Sequence, residues 1–292
     1  MSAPVAIVGL GLMGEVYARR LIDAGFSVTG FDIDPARCAR MAEIGGRPVQ
    51  SMGELARPAR CIIVAVFSTE QVEDVVENHL LPALGDGSGK IVLCMSTCDP
   101  DRVAALAGRV IPRGIRYLDV PVSGTSDQVR RGDGVALIGG DVAIADEAKD
   151  VLDALFARRF HIGAVGDGGR AKLAVNLILG LNRLALAEGL VFAERLGLDP
   201  AAFLEVARGS ASYSQVMETK GAKMVQGDFS PEGRVRQTLK DARLMLDQAA
   251  AAGQKLSMLE VHAAVLEACV RAGEAELDNS AVIREVRRRG KN

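Results

Sequence analysis

Val5-Ala6-Ile7-Val8-Gly9-Leu10-Gly11-Leu12-Met13-Gly14, a helical run, and then Val28–Asp32 decide how the first half of this chain is read. Four apolar residues make a short strand, and three glycines follow in G-x-G-x-x-G spacing. The first glycine permits a tight turn, the second lets a pyrophosphate approach the backbone, and the third allows close helix packing. In the helix that follows, Val16, Leu21 and Ile22 share one side and Arg19, Arg20 and Asp23 the other. Its free N–H groups and dipole suit a phosphate. Asp32 stands 18 residues after Gly14, close to the spacing of a carboxylate that bonds an adenine ribose diol. The expected contacts to a dinucleotide are therefore Gly9, Leu10, Gly11, Leu12, Met13, Gly14 and Asp32. Such an acid repels a 2′-phosphate and favours NAD. Arg37 could neutralise that phosphate, which leaves NADP open, and Asp34 could be a helix cap.

Through about residue 163, short β-branched runs alternate with helical patterns, the signature of a doubly wound parallel sheet. Further strands are read at Val28–Phe31, Cys61–Val66, Ile91–Cys94, Tyr117–Val120 and Val135–Ile138. Helices are read over Ala36–Ile44, Gly53–Ala56, Glu70–Asn78 and Asp101–Ala107. Beyond Gly166 the β pattern stops, and helices are expected at about 168–196, 200–208, 213–225, 236–252, 257–272 and 278–289. The expected architecture is a Rossmann domain over 1–163 and an all-α domain over 164–292, joined by a long helix, with substrate meeting cofactor in the cleft.

A chain of 292 residues with 49% hydrophobic and 25% charged content is ordinary for a globular protein. Its net charge of −2 gives no reason to expect nucleic acid or an anionic membrane. Arg284, Arg287, Arg288, Arg289 and Lys291 read as a solvated helix end. Five scattered cysteines suggest reduced thiols and no zinc site. With no signal peptide and no run of about 20 apolar residues, a cytoplasmic protein with no membrane span is expected.

Polar residues concentrate in three places. In Gly168–Gly180, Lys172 and Asn176 lie four apart on one helix face, and Gly180 extends it, leaving room for another group. A lysine there is commonly a surface residue. A hydride transfer to a carbonyl, however, needs a proton that a partly desolvated ammonium can supply, and Asn176 can hold a hydroxyl or carboxylate. Asp119-Val120-Pro121-Val122-Ser123-Gly124-Thr125-Ser126 exits a strand where donors for an anion belong, although a plain turn reads equally well. Met95-Ser96-Thr97 could line the nicotinamide ribose or cap a helix. Lys240-Asp241 reads alone as a surface ion pair.

Taken in order and spacing, these motifs resemble the β-hydroxyacid dehydrogenase family, which contains 3-hydroxyisobutyrate dehydrogenase and tartronate semialdehyde reductase. The likeness covers the whole chain. It implies a helical domain that mediates oligomerisation, as a homodimer or homotetramer. It also implies reversible NAD(P)-linked oxidation of a short β-hydroxyacid to its semialdehyde. By that likeness Lys172 is the acid/base, and Ser123, Gly124, Thr125 and Asn176 hold a small anionic substrate. Ser96, Thr97, Phe67, Arg37 and Lys240 would stand near the cofactor. Thr125 replaces a second family glycine and Phe67 a family proline, while Gly233 replaces an aromatic. Extra hydroxyls from Thr125 and Ser126 could suit a sulfonate or a polyhydroxy acid. An imine reductase on this scaffold is the rival enzyme, but those often carry Asp or Tyr in place of Lys172. A non-catalytic nucleotide binder is the other rival, and the Lys172–Asn176 pair argues against it. Leu244, Leu246, Leu259, Val261, Val265 and Leu266 recur at helical spacing; a core is the default reading, with a subunit face as the use of a second side.

Overall fold

The structure, a computed structural model, describes residues 4–85 and 88–290; Lys291 of the basic tail lies outside them. The chain divides into two compact units, one running through Lys172 and one starting at Leu173. That division falls inside the long helix Asp167–Arg195, whereas the sequence reading put it ahead of the helix.

The first unit is built on a sheet of nine strands among the described residues. In chain order they are β1 (Val5–Val8), β2 (Val28–Phe31), β3 (Arg47–Pro48), β4 (Cys61–Val64), β5 (Ile91–Cys94), β6 (Arg116–Asp119), β7 (Val122–Ser123), β8 (Val135–Gly139) and β9 (Arg158–Gly163). The order β3-β2-β1-β4-β5-β6 is parallel throughout. β8 then turns antiparallel to β6, β7 pairs antiparallel with β8, and β9 runs parallel to β8. β1, β4 and β5 are apolar and fully buried, as strands covered on both faces must be. β2 and β4 flank β1 on opposite sides, so the chain changes direction of winding there. A crevice opens beyond the carboxyl ends of such strands.

Three strands escaped the sequence reading. β3 and β7 have two residues each, too few to show alternation. β9, Arg-Arg-Phe-His-Ile-Gly, is mostly exposed, and its charged residues suit an edge. The strand expected to reach Val66 stops at Val64 because Val66 N–H turns to donate to Ser96 Oγ at 2.9 Å.

The described residues of the second unit are helices and turns. Leu184, Ala187, Leu190, Leu239, Leu259, Leu266 and Ile283 form its core. Leu259, Val265 and Leu266 are core residues, the default reading of their spacing, and Leu244 and Leu246 are half-buried against them; Val261 is open. The apolar residues that do face outward include Ile178, Phe192, Leu196, Leu198 and Val206. The long helix has 29 residues and an 18-residue window of mean hydropathy 1.5, so it is long and apolar enough to span a bilayer. It packs Leu173, Leu184, Leu186 and Leu190 into the core and buries Lys172 and Arg183, while a third of that window is buried.

Two buried charges organise the second unit. Lys220 Nζ donates to both oxygens of Asp278 at 2.9 Å and to Glu232 at 3.1 Å. Burial would raise the Asp278 carboxyl, but the Lys220 ammonium and the N–H groups of Ser280 and Glu232 outweigh it and hold it below the ordinary range.

The long helix starts at the end of the sheet because of Asp119. This carboxylate, at the carboxyl end of β6, accepts from Gly166 N–H at 3.1 Å and Gly169 N–H at 2.9 Å. A Cβ on Gly168 would lie 2.6 Å from Asp119 Oδ1 and 2.6 Å from the Leu137 carbonyl, so only glycine permits that seat. Burial raises the Asp119 carboxyl to about 6, with the two N–H groups opposing. The folded state therefore holds this proton more tightly than the unfolded chain. The associated stability is fully present below about pH 4 and is lost as pH rises through about 6, an effect of about 3 kcal/mol at most. Asp119→Asn keeps an acceptor for both N–H groups and should gain stability relative to wild type as pH rises from 4.5 to 7 in denaturant titrations. Asp119→Ala strands both donors and should lose about 1–3 kcal/mol at either pH.

Candidate functional site

The glycine turn shows what each glycine is for. Gly9 has φ +92°, and a Cβ there would lie 2.4 Å from the Ala65 carbonyl oxygen. A Cβ on Gly14 would lie 1.9 Å from the Gly9 carbonyl oxygen, so helix and strand could not approach. Gly11 differs. Its φ is −69°, and the nearest atom to a built Cβ is Arg37 Nη1 at 3.7 Å. Neither conformation nor packing demands a glycine at 11, and that space suits a pyrophosphate. Gly11 also caps the helix Leu12–Asp23 without any side-chain bond to its free N–H groups, which suits an anion. Leu12 and Met13 form the half-buried first turn. The residues present fit a dinucleotide.

Asp32 is held inward. Leu10 N–H donates to its Oδ2 at 2.7 Å, Asp34 N–H to its Oδ1 at 2.9 Å, and Arg37 Nη1 lies 3.2 Å from Oδ2. Its side chain is only 4% exposed, so the carboxylate ties the glycine turn to β2 as well as marking the ribose end. Asp34 caps the helix Pro35–Glu43, and Arg37 pairs with both acids at the rim.

Ser96 is buried, and its hydroxyl bonds to both Val66 N–H and the Val66 carbonyl at 2.9 Å. It therefore joins the ends of β4 and β5 and builds the crevice wall; a bond from that hydroxyl to a ribose is not what the geometry shows. Thr97 is half-buried one residue on, and Phe67 is exposed beyond β4. Ser123 ends β7 and Gly124 has φ +137°, a conformation that favours glycine. Thr125 also caps a helix. Its hydroxyl accepts from Gln128 N–H at 3.2 Å while Gln128 Oε1 accepts from Thr125 N–H at 2.9 Å, a capping box for Ser126–Arg131. Ser126 is buried behind it.

Lys172 is 6% exposed, whereas Arg170 points the other way, pairing with Asp101 and Asp167. Residues two apart on a helix face opposite sides, so pinning the helix with Arg170 outward turns Lys172 inward. In the second unit, Asn176 Nδ2 donates to Asp241 Oδ2 at 3.0 Å, and Lys240 Nζ lies 3.0 Å from Asp241 Oδ1. Asp241 thereby fixes the orientation of the Asn176 amide. Sequence reasoning missed Asp241 as a partner of Asn176; the 65-residue separation carries no local signal. It also missed His262 and Arg183, both buried. The space left by Gly180 is taken by the His262 ring, whose Cε1 would lie 2.7 Å from a built Cβ. Among the described residues no group of His, Cys, Asp and Glu is arranged to hold a metal ion.

Residues 4–163 match the sequence-family model of the NAD binding domain of 6-phosphogluconate dehydrogenase. Residues 166–286 match that of the NAD-binding of NADP-dependent 3-hydroxyisobutyrate dehydrogenase. The chain belongs to the β-hydroxyacid dehydrogenase family. Among similar members, L-threonate dehydrogenase of Cupriavidus necator is 30% identical over 97% of this chain and 96% of its own length. The 2-hydroxy-3-oxopropionate reductase of Escherichia coli is 29% identical over 96% and 95%. A crystal structure of 3-hydroxyisobutyrate dehydrogenase from Salmonella typhimurium superposes with a TM-score of 0.88 at 28% identity, covering 97% of this chain and 99% of that one. As a β-hydroxyacid dehydrogenase the chain is an NAD(P)-dependent oxidoreductase of Rossmann-plus-helical build, and Gly11 gives a direct check. Gly11→Ala should melt within about 2 °C of wild type, since only about 1 kcal/mol or less is at stake on an open surface, yet bind NADH at least tenfold more weakly by fluorescence titration. Gly14→Ala should lose the fold itself.

Proposed function

We propose that this enzyme carries out the reversible NAD-linked oxidation of a short, anionic β-hydroxyacid to its semialdehyde, with Lys172 as acid/base. The observation that carries this reading is a buried lysine one helical turn before Asn176, on a helix whose start is fixed by Asp119. The nicotinamide, when bound, accepts or supplies the hydride. Lys172 Nζ, as the amine, takes the hydroxyl proton in the oxidative direction, and as the ammonium returns it to the carbonyl oxygen. Asn176, held by Asp241, keeps the hydroxyl in register. The backbone about Ser123 and Gly124 offers donors for the carboxylate. Asp32 supports NAD over NADP, while Arg37, at the rim beside Gly11, supports residual use of NADP.

A homodimer or homotetramer completes the proposal. Ile178, Phe192, Leu196, Leu198 and Val206 are each more than half exposed, and apolar side chains grouped in one helical unit suit a subunit face. Five cysteines, none of them in a disulfide among the described residues, support a cytoplasmic setting.

An initial-rate screen of three- to five-carbon hydroxyacids with NAD and NADP should show turnover with NAD preferred; turnover of a cyclic imine in preference to every hydroxyacid would reverse the reading. Lys172→Ala should lower kcat by about 10²–10⁴-fold with NADH binding retained, and near-normal kcat removes Lys172 from the chemistry. Arg37→Ala should raise the NAD-over-NADP ratio of kcat/KM by about tenfold or more, as loss of a charge-assisted phosphate contact predicts. Light scattering should give a mass of two or four chains.

A further inference from the structure

Cys94 and Cys98 share a cavity that the hydroxyacid chemistry does not use. Cys94 is the last residue of β5, paired on one side with Val64 of β4 and on the other with Asp119 of β6. Four residues on, Cys98 precedes Asp99, whose N–H donates to Thr69 Oγ1 at 2.9 Å and whose side chain caps the helix Pro100–Val110. Both thiols are buried, at 1% and 3% exposure. Both line a cavity of about 10 Å³, with Ser96, Pro100, Asp119 and Gly169 among its other walls. That is room for about one water-sized molecule. The two sulfurs meet there, since a hydrogen bond from the Cys98 thiol is the largest influence on Cys94. With the Tyr117 hydroxyl and the Ser96 N–H, it outweighs burial and the Asp119 charge and holds Cys94 below the ordinary thiol range. A cysteine buried only for packing shifts the other way; burial pushes the thiols of Cys61 and Cys269 up to about 12.

We propose that Cys94 and Cys98 are a reversible disulfide site, closed by hydrogen peroxide and opened by a dithiol, whose closure weakens cofactor binding. Peroxide is uncharged and, among two-electron oxidants, near the size that the cavity admits. The Cys94 thiolate attacks one peroxide oxygen, the O–O bond breaks, and the departing hydroxide takes up the proton that Cys94 gave away, leaving as water. Cys94 is then a sulfenic acid. The Cys98 sulfur attacks the Cys94 sulfur, the S–O bond breaks, and the hydroxyl leaves with the Cys98 proton as a second water. The two thiols lose two electrons and two protons, and the peroxide is reduced to two waters. Ser96 carries the effect to the crevice. It lies in the link between the two cysteines, and its hydroxyl bonds to Val66 N–H and the Val66 carbonyl at 2.9 Å. Strand neighbours fix one end of the link and the capped helix fixes the other, so residues 95–97 absorb the closure. Drawing them in pulls Ser96 off Val66 and loosens the wall that the ends of β4 and β5 form.

The test treats the full chain with hydrogen peroxide well below its melting temperature, quenches by alkylation and maps the peptides by mass. The site predicts a Cys94–Cys98 bridge, lighter by two hydrogens than the reduced form and opened again by dithiothreitol. Fluorescence titration with NADH or NADPH, whichever the reduced protein binds, should show affinity falling about tenfold or more on bridging, the order expected for a lost pair of buried hydrogen bonds. Dithiothreitol should restore it. Cys98→Ala lacks the second thiol and should keep its affinity through the same treatment, which separates the bridge from methionine oxidation; Cys98→Ser serves if Cys98→Ala does not fold. Oxidation confined to other residues, with both thiols still reduced, overturns the site. So does a bridge that leaves cofactor affinity unchanged, or an equal loss of affinity in the Cys98 variants.

Discussion

Asp119 accepts the N–H groups of Gly166 and Gly169, and that pair of bonds sets the starting point and the rotation of the long helix. Gly139 and Gly168 are glycines so that β8, the helix and the carboxylate can meet; a Cβ on Gly139 would lie 2.5 Å from the Ala164 carbonyl oxygen. Once the first turn is fixed, the 100° step per residue does the rest. Arg170 turns outward to two acids, Lys172 turns inward, and Asn176 follows one turn later. The cost is a buried carboxyl whose proton affinity is raised. Stability is given up at neutral pH to fix the start of the helix.

Much of this was legible in the residues, and what was not has physical causes. The glycine turn, the central strands and the helical second half announce themselves because each is a local pattern: a period of two or of 3.6, a cap, a G-x-G-x-x-G. Lys172 and Asn176 are four apart, and so could be paired by spacing alone. The Asn176–Asp241 bond spans 65 residues and the Asp119 pin about 50, and no period reports on either. Boundaries slipped where the strand ends serve something else, as when Val66 leaves the sheet to meet Ser96. Ser96 and Thr125 could each be read as a ligand contact or as a cap or turn residue, because small hydroxyl residues at strand ends suit both roles. In the fold one hydroxyl makes a backbone tie and the other a helix cap.

Gly11 and Gly180 show two opposite uses of a missing side chain. At Gly180 the room is filled by the protein's own His262 ring. At Gly11 the nearest atom among the described residues to where a methyl group would sit, chain neighbours aside, is Arg37 Nη1 at 3.7 Å, so the room is left open. The same contrast separates satisfied from unsatisfied polar groups. Asp32, Asp119 and Asp278 each have backbone donors, whereas His262 and parts of Arg183 have none among the described residues.

The Lys220–Asp278 pair, sealed away from water, has a thermal consequence. Stripping water from a charge becomes less unfavourable on heating, because hydration of ions is entropically costly, while apolar burial gains little more. An enclosed ion pair thus contributes more to the helical half in hot solution than in cold. Chilling, by the same reasoning, weakens that half on two counts at once, since the driving force for apolar burial also fades.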